Sequence, residues 1–78
     1  MQCFFVHIKC HLGQTYPVAA TLADREIASE IHSISGEYDL LAKFYIDRDA
    51  DIGRFVADNL HDIPGIDRTV TTLTFKAF

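Results

Sequence analysis

The strongest constraint in this chain is a short segment, Ile34 to Ile46, in which a glycine turn runs straight into a strand that is apolar on both faces. Successive side chains of a strand point to opposite sides. Leu40, Ala42, Phe44 and Ile46 therefore form one wholly apolar face, and Leu41, Lys43 and Tyr45 a mixed one. Neither face suits open water, so the strand has to be covered twice. The turn before it, Gly36-Glu37-Tyr38-Asp39, joins a glycine with unusual backbone freedom to an Asp whose carboxylate can fold back on nearby amides. Such a turn presents N–H groups at a fixed place on a rigid element, which suits a small anion or a zwitterion.

The rest of the chain supplies one of the two covers. Gln2 to Cys10 alternates Phe4, Val6, Ile8 and Cys10 against Cys3, Phe5, His7 and Lys9, which predicts a strand whose second face is also half apolar. His11 to Thr15 forms a loop, and Tyr16-Pro17 opens a helix, since proline is tolerated in the first turn. Val18, Ala19, Leu22 and Ala23 give that helix a narrow, Ala-rich stripe that fades near Arg25-Glu26. Ile27 to Ser35 reads as the least regular strand, and Leu40 to Ile46 as the third. Asp47, Asp49 and Asp51 place acids where a second helix begins. Ile52, Phe55, Val56, Leu60 and Ile63 follow at helical spacing until Pro64-Gly65 stops the pattern. Arg68 to Phe78 alternates and is rich in β-branched residues, which predicts the last strand.

The predicted order is β-α-β-β-α-β, a ferredoxin-like α+β fold: a four-stranded antiparallel sheet with both helices on one face. The helices cover one side only. Phe5, Leu41, Tyr45 and Val70 are expected on the other, where a second subunit would complete a dimeric sandwich. Composition points the same way. A single domain of 78 residues that is 49% apolar has little room to bury its own surface.

Several function classes are disfavoured. The seven Lys and Arg residues are scattered and the net charge is −4, so no basic stripe exists for direct nucleic-acid binding. No apolar run reaches the length of a membrane span and no basic start marks a signal peptide, which leaves the cytoplasm as the expected compartment. Cys3 and Cys10 point to opposite faces of one strand and stand about 23 Å apart along it, too far to bridge. His7, His11, His32 and His61 lie on separate elements without the spacing of a zinc site, so neither metal nor cofactor is expected. The Ser33-Ile34-Ser35 segment lacks a strained nucleophile turn and no carboxylate pair marks an apolar cleft. An enzyme is therefore not the expected reading.

Two segments carry a family resemblance. Ser35-Gly36-Glu37-Tyr38-Asp39-Leu40-Leu41-Ala42-Lys43 resembles the Gly-x-Tyr-Asp signature of the ligand-binding domain of Lrp/AsnC regulators, also called the RAM domain. Leu60-His61-Asp62-Ile63-Pro64-Gly65-Ile66-Asp67-Arg68-Thr69-Val70-Thr71 is similar to that family's Leu-x-x-Ile-Pro-Gly-Val-x-x-Thr-x-Thr stretch. The resemblance covers nearly the whole chain. It implies dimers formed sheet on sheet, octamer-like rings of dimers, and amino-acid effectors held in clefts between subunits. The chain departs from the family pattern in two places. Met1 directly precedes the first strand, so the sequence reads as a stand-alone effector domain without a helix-turn-helix. Arg25 replaces an apolar residue near the end of the first helix.

The resemblance and the turn chemistry together define the expected site as Gly36, Glu37, Tyr38, Asp39, Leu40, Thr69, Thr71 and Thr72. Turn amides would donate to a ligand carboxylate, Asp39 would accept from its ammonium, the threonines would add hydroxyls, and Tyr38 would wall the side-chain pocket. The plainer alternative is that Asp39 only ties the turn and the threonines are ordinary strand residues. The expected function is amino-acid sensing and oligomerisation, in regulation of transcription or amino-acid metabolism without DNA binding by this chain. The alternatives are an assembly module that mixes subunits with a full-length Lrp/AsnC regulator, and a small dimeric ferredoxin-like enzyme.

Overall fold

The computed structural model describes residues 1–78 as β1 (Gln2–Cys10), α1 (Thr15–Asp24), β2 (Glu30–Ser33), β3 (Leu40–Ile46), α2 (Ile52–Asn59) and β4 (Ile66–Leu73). The strands make one antiparallel sheet in the order β2-β3-β1-β4. This is the predicted ferredoxin-like arrangement.

The register sorts side chains between two faces. β1 pairs with β3 so that Phe4 meets Phe44, Val6 meets Ala42 and Ile8 meets Leu40, and all six are buried. Val18 and Leu22 of α1 and Val56 of α2 close over them in a single core. Phe4 and Phe44 stack with centroids 5.2 Å apart, and Phe55 meets both edge-on at 6.0 and 5.6 Å. Each aromatic pair of this geometry adds about 0.5–1.5 kcal/mol beyond burial, so the three rings fix where α2 lies on the sheet.

The helix ends have distinct causes. The Asp51 carboxylate accepts the Arg54 N–H at 3.1 Å and caps α2, a contact worth about 1 kcal/mol. α1 has no side-chain cap and relies on Pro17 in its first turn. α2 ends at Asn59, earlier than its apolar stripe predicts, yet Leu60 and Ile63 are buried all the same. The chain turns tightly there, with the Ile63 N–H donating to the Leu60 carbonyl at 3.0 Å. Arg25, the departure noted at the end of the first helix, ties the two helices together. Its guanidinium donates to the Asn59 carbonyl at 2.7 Å and to both Asp62 oxygens at 2.7 and 3.2 Å.

Two strands differ from expectation. β2 keeps only Glu30–Ser33 of the predicted Ile27–Ser35. Backbone hydrogen bonds from the Ser29 N–H to the Lys43 carbonyl and from the Ile34 N–H to the Asp39 carbonyl extend its contact with β3, while Ile27 and Ala28 pack on the core without pairing. β4 starts two residues early and stops at Leu73, leaving Phe75 and Phe78 exposed. Its early start rests on a bulge. Lys9 faces Arg68 but Cys10 faces Ile66, so Asp67 is the extra residue. Strict alternation would have put Asp67 opposite the buried Cys10. The bulge gives that place to Ile66, which packs against the core.

Candidate functional site

The Gly36–Asp39 turn lies at the end of the sheet where β1 finishes. Gly36 has φ +97°, and a Cβ there would meet nothing within 4 Å. Glycine is therefore required for its left-handed backbone and not for space. The Ile34 N–H donates to the Asp39 carbonyl at 3.0 Å and closes the turn, and the Asp39 N–H donates to the Ile8 carbonyl at 2.9 Å. The amides of Gly36, Glu37 and Tyr38 donate to no acceptor in the chain.

The two acids of the turn are both engaged. The Asp39 carboxylate accepts the Cys10 N–H at 2.8 Å, just beyond the bulge, and stands 3.8 Å from Lys9 Nζ. Glu37 accepts from the Arg68 guanidinium at 2.6 Å, with the two side chains 70% and 54% exposed. Lys9 and Arg68 are register partners on adjacent strands, and like charges placed directly opposite each other repel. The turn offsets that repulsion by setting one carboxylate against each cation. The Arg68 guanidinium also lies 5.5 Å from the Tyr38 ring centroid, and Tyr38 meets the His7 ring edge-on at 5.6 Å.

The expected site residues divide into separate groups. Glu37, Tyr38 and Asp39 cluster with Gly36 in the turn. Leu40 is buried, with its side chain in the core opposite Ile8. The threonines fall on both sides of β4. Thr72 pairs with Phe5 on the face away from the helices, whereas Thr69 and Thr71 pair with Ile8 and Val6 on the helix side. The Thr69 hydroxyl lies 3.3 Å from His61 Nε2, beside an open hollow of about 350 Å³ lined by His61 and Ile66–Thr69. Within one chain the three threonines do not line one cleft. Lys9 and Arg68 were not among the expected residues, although both are adjacent to the turn. The β1–β4 pairing that makes them neighbours joins strands from opposite ends of the chain, which residue periodicity does not reveal.

The sheet face away from the helices carries Phe5, Leu41, Tyr45 and Val70, as predicted. Tyr45 and Val70 on this face are 47% and 44% exposed. Lys43 crosses it, lying 5.8 and 5.2 Å from the Phe5 and Tyr45 rings and 3.5 Å from Glu30. His7 Nδ1 is buried on this face and has no hydrogen-bond partner in the chain. An open groove of about 610 Å³ runs between this face and residues Thr74–Ala77, at the opposite end from the turn. Cys3 lines the groove and Cys10 is in the core, and both are free thiols. Burial, then the Asp39 carboxylate, push the Cys10 thiol up, so it stays protonated at neutral pH. No helix is long and apolar enough to cross a membrane.

Comparison with known proteins agrees with this architecture. The chain is 35% identical, over 86% of its length, to an uncharacterised HTH-type transcriptional regulator of Pyrococcus horikoshii, and the match spans 55% of that protein. The chain thus spans about half the length of the curated relatives it matches. A crystal structure from Thermus thermophilus superposes with a TM-score of 0.88 at 26% identity, covering 100% of this chain and 98% of that one. A transcriptional regulator from Neisseria meningitidis, solved as its L-Met complex, shares the fold with a TM-score of 0.79 at 20% identity. That match covers 96% of this chain and 50% of the regulator. Residues 3–78 match the Lrp/AsnC ligand binding domain, and the chain belongs to that family.

Proposed function

We propose that this domain binds a free amino acid at the Gly36–Asp39 turn and assembles through the uncovered face of its sheet. The observation that carries the reading is the position of the turn. Three free amides stand beside a sheet face that leaves Tyr45 and Val70 exposed. A ligand bound there can touch two subunits at once. The L-Met complex of the Neisseria meningitidis regulator supports an amino acid as the ligand class, and the HTH-type relatives support a role in regulating transcription.

The mechanism is linkage. A ligand held between subunits favours one assembly state by no more than its differential affinity for the two states. Dimers would form sheet on sheet and higher rings from dimers. The reading gives residues 1–78 no catalytic role and no direct contact with DNA. The exposed Tyr45 and Val70 also favour a second reading, in which the domain exchanges subunits with a longer, DNA-binding relative.

Isothermal titration with the proteinogenic amino acids, paired with sedimentation at several protein concentrations, tests both halves. Saturable heat with one or a few amino acids and a ligand-dependent shift in assembly are expected. A well-folded monomer at micromolar concentration that takes up none of them would overturn the proposal.

A further inference from the structure

The Glu37–Arg68 pair has the two charges of an amino-acid backbone in reverse, and we infer that this pair, and not Asp39, recognises the ligand's ammonium and carboxylate. The inference rests on the proposed amino-acid reading and names the residues that read the zwitterion.

Asp39 is poorly placed for that task. Its carboxylate already accepts the Cys10 N–H at 2.8 Å and faces Lys9 at 3.8 Å. Both contacts fall on Oδ2, so the carboxylate can offer a ligand only Oδ1, and the adjacent lysine already offsets its charge. Glu37 and Arg68 have no such duty. They bond to each other through one contact of 2.6 Å, and both side chains are more than half exposed. An exposed pair of this kind contributes little to folding, so opening it for a ligand is cheap. The Arg68 guanidinium makes no other hydrogen bond in the chain, which leaves most of its planar fork of donors for a carboxylate. The Tyr38 ring backs the guanidinium, and the free amides of Gly36, Glu37 and Tyr38 lie in the same turn.

Local charge balance selects the ligand class. Lys9, Arg68, Glu37 and Asp39 sum to zero within the cluster. A zwitterion inserted between Glu37 and Arg68 gives each a new partner and adds no net charge. A simple carboxylate would engage Arg68 but strand Glu37, and a simple amine would do the reverse. The site therefore demands both termini of the amino acid to be free.

The test uses the whole chain and the amino acid of tightest binding in the titration panel. That amino acid is compared with its N-acetyl derivative and its carboxamide, for the wild type and for Glu37→Gln and Arg68→Gln. Loss of one charge-assisted contact is expected to weaken binding about tenfold or more, for either derivative on the wild type and for the free amino acid on either variant. In Glu37→Gln the preference for the free amino acid over its N-acetyl form collapses, and in Arg68→Gln the preference over the carboxamide collapses. A purely structural role for these residues would lower all affinities together and leave those ratios unchanged. Ratios equal to those of the wild type, or full-strength binding of the N-acetyl form by the wild type, would overturn the inference while leaving amino-acid binding intact. Binding of no amino acid by the wild type would overturn the proposed function and this inference together.

Discussion

The Asp39 carboxylate accepts the peptide N–H of Cys10 at 2.8 Å, joining the turn before β3 to the end of β1 across 29 residues of sequence. The contact lies next to the bulge, where the β1–β4 ladder slips by one residue. A charged acceptor on a part-buried N–H is worth about 1.5–3 kcal/mol, most of it felt as desolvation when the partner is removed. Asp39→Ala is therefore expected to lower unfolding free energy by that amount in urea. Asp39→Asn keeps an oxygen acceptor and loses less. Equal losses for the two variants would mean that the carboxylate acts through its charge beside Lys9 and not through this bond.

Gly65 and Gly53 make a paired prediction. Gly65 has φ +97°, and a Cβ there would meet Val18 Cγ2 at 2.9 Å and Gln14 Cβ at 3.0 Å. Gly65→Ala combines a left-handed backbone penalty with overpacking against α1, together about 2–4 kcal/mol. Gly53 is in the first turn of α2 with ordinary backbone and its nearest neighbour at 3.5 Å. Gly53→Ala is expected to stabilise the domain by about 0.4–1 kcal/mol, mainly by restricting the unfolded chain. Thermal melts of the two variants should move in opposite directions, and a shared direction would contradict the placement of one of them.

These glycines and Asp39 show what the sequence makes legible and what it does not. The alternation of Phe4, Val6 and Ile8 and the stripe through Ile52, Val56, Leu60 and Ile63 follow from burial, so each core face could be read directly. The same stripe hid the end of α2, because Leu60 and Ile63 are buried by a turn as well as a helix would bury them. Strand ends depend on hydrogen-bond partners that lie far away in sequence. Residue type alone therefore left the bounds of β2 and β4 too long. The turn was visible through its glycine. The partners of its acids were not, since Lys9 and Arg68 meet only through the pairing of β1 with β4, strands from opposite ends of the chain. One long-range strand pairing separates a readable fold from a partly unread site.

The Arg25–Asp62 pair sets an acid-side dependence. The Arg25 guanidinium, through its hydrogen bonds, holds the Asp62 carboxyl below its ordinary value. A carboxylate with a lowered folded pKa contributes stability that is present above its unfolded value, about 4, and lost as pH falls through the folded one. Glu30 follows the same sign, lowered first by its contact with His32 and then by Lys43. Both pairs are exposed, so the effect is small and screened by salt. Stability measured from pH 6 down to pH 2 should fall less steeply in Asp62→Asn than in the wild type, and 1 M salt should shrink the difference. An acid limb identical in the two proteins would show that the pair adds nothing in solution.

Val70 offers the cleanest separation of folding from assembly. It is on the sheet face opposite the helices, is 44% exposed, and pairs across the strand with His7, whose Nδ1 is buried without a partner. Phe5, Leu41 and Tyr45 share that face. An exposed position away from the core tolerates substitution within about 0.5 kcal/mol, so Val70→Asp should leave the unfolding free energy of the isolated subunit nearly unchanged. In an apolar interface the same carboxylate would lose water without gaining a partner, which costs several kcal/mol. Two copies related by a two-fold axis would each contribute one such charge, since an isologous interface doubles every change made to it. Sedimentation equilibrium is therefore expected to show the variant dissociating at concentrations where the wild type remains associated. Phe44→Ala, on the buried face of β3, provides the contrast: it should cost about 3–5 kcal/mol of folding free energy whatever the assembly state. Undiminished self-association of Val70→Asp would move the subunit boundary off this face.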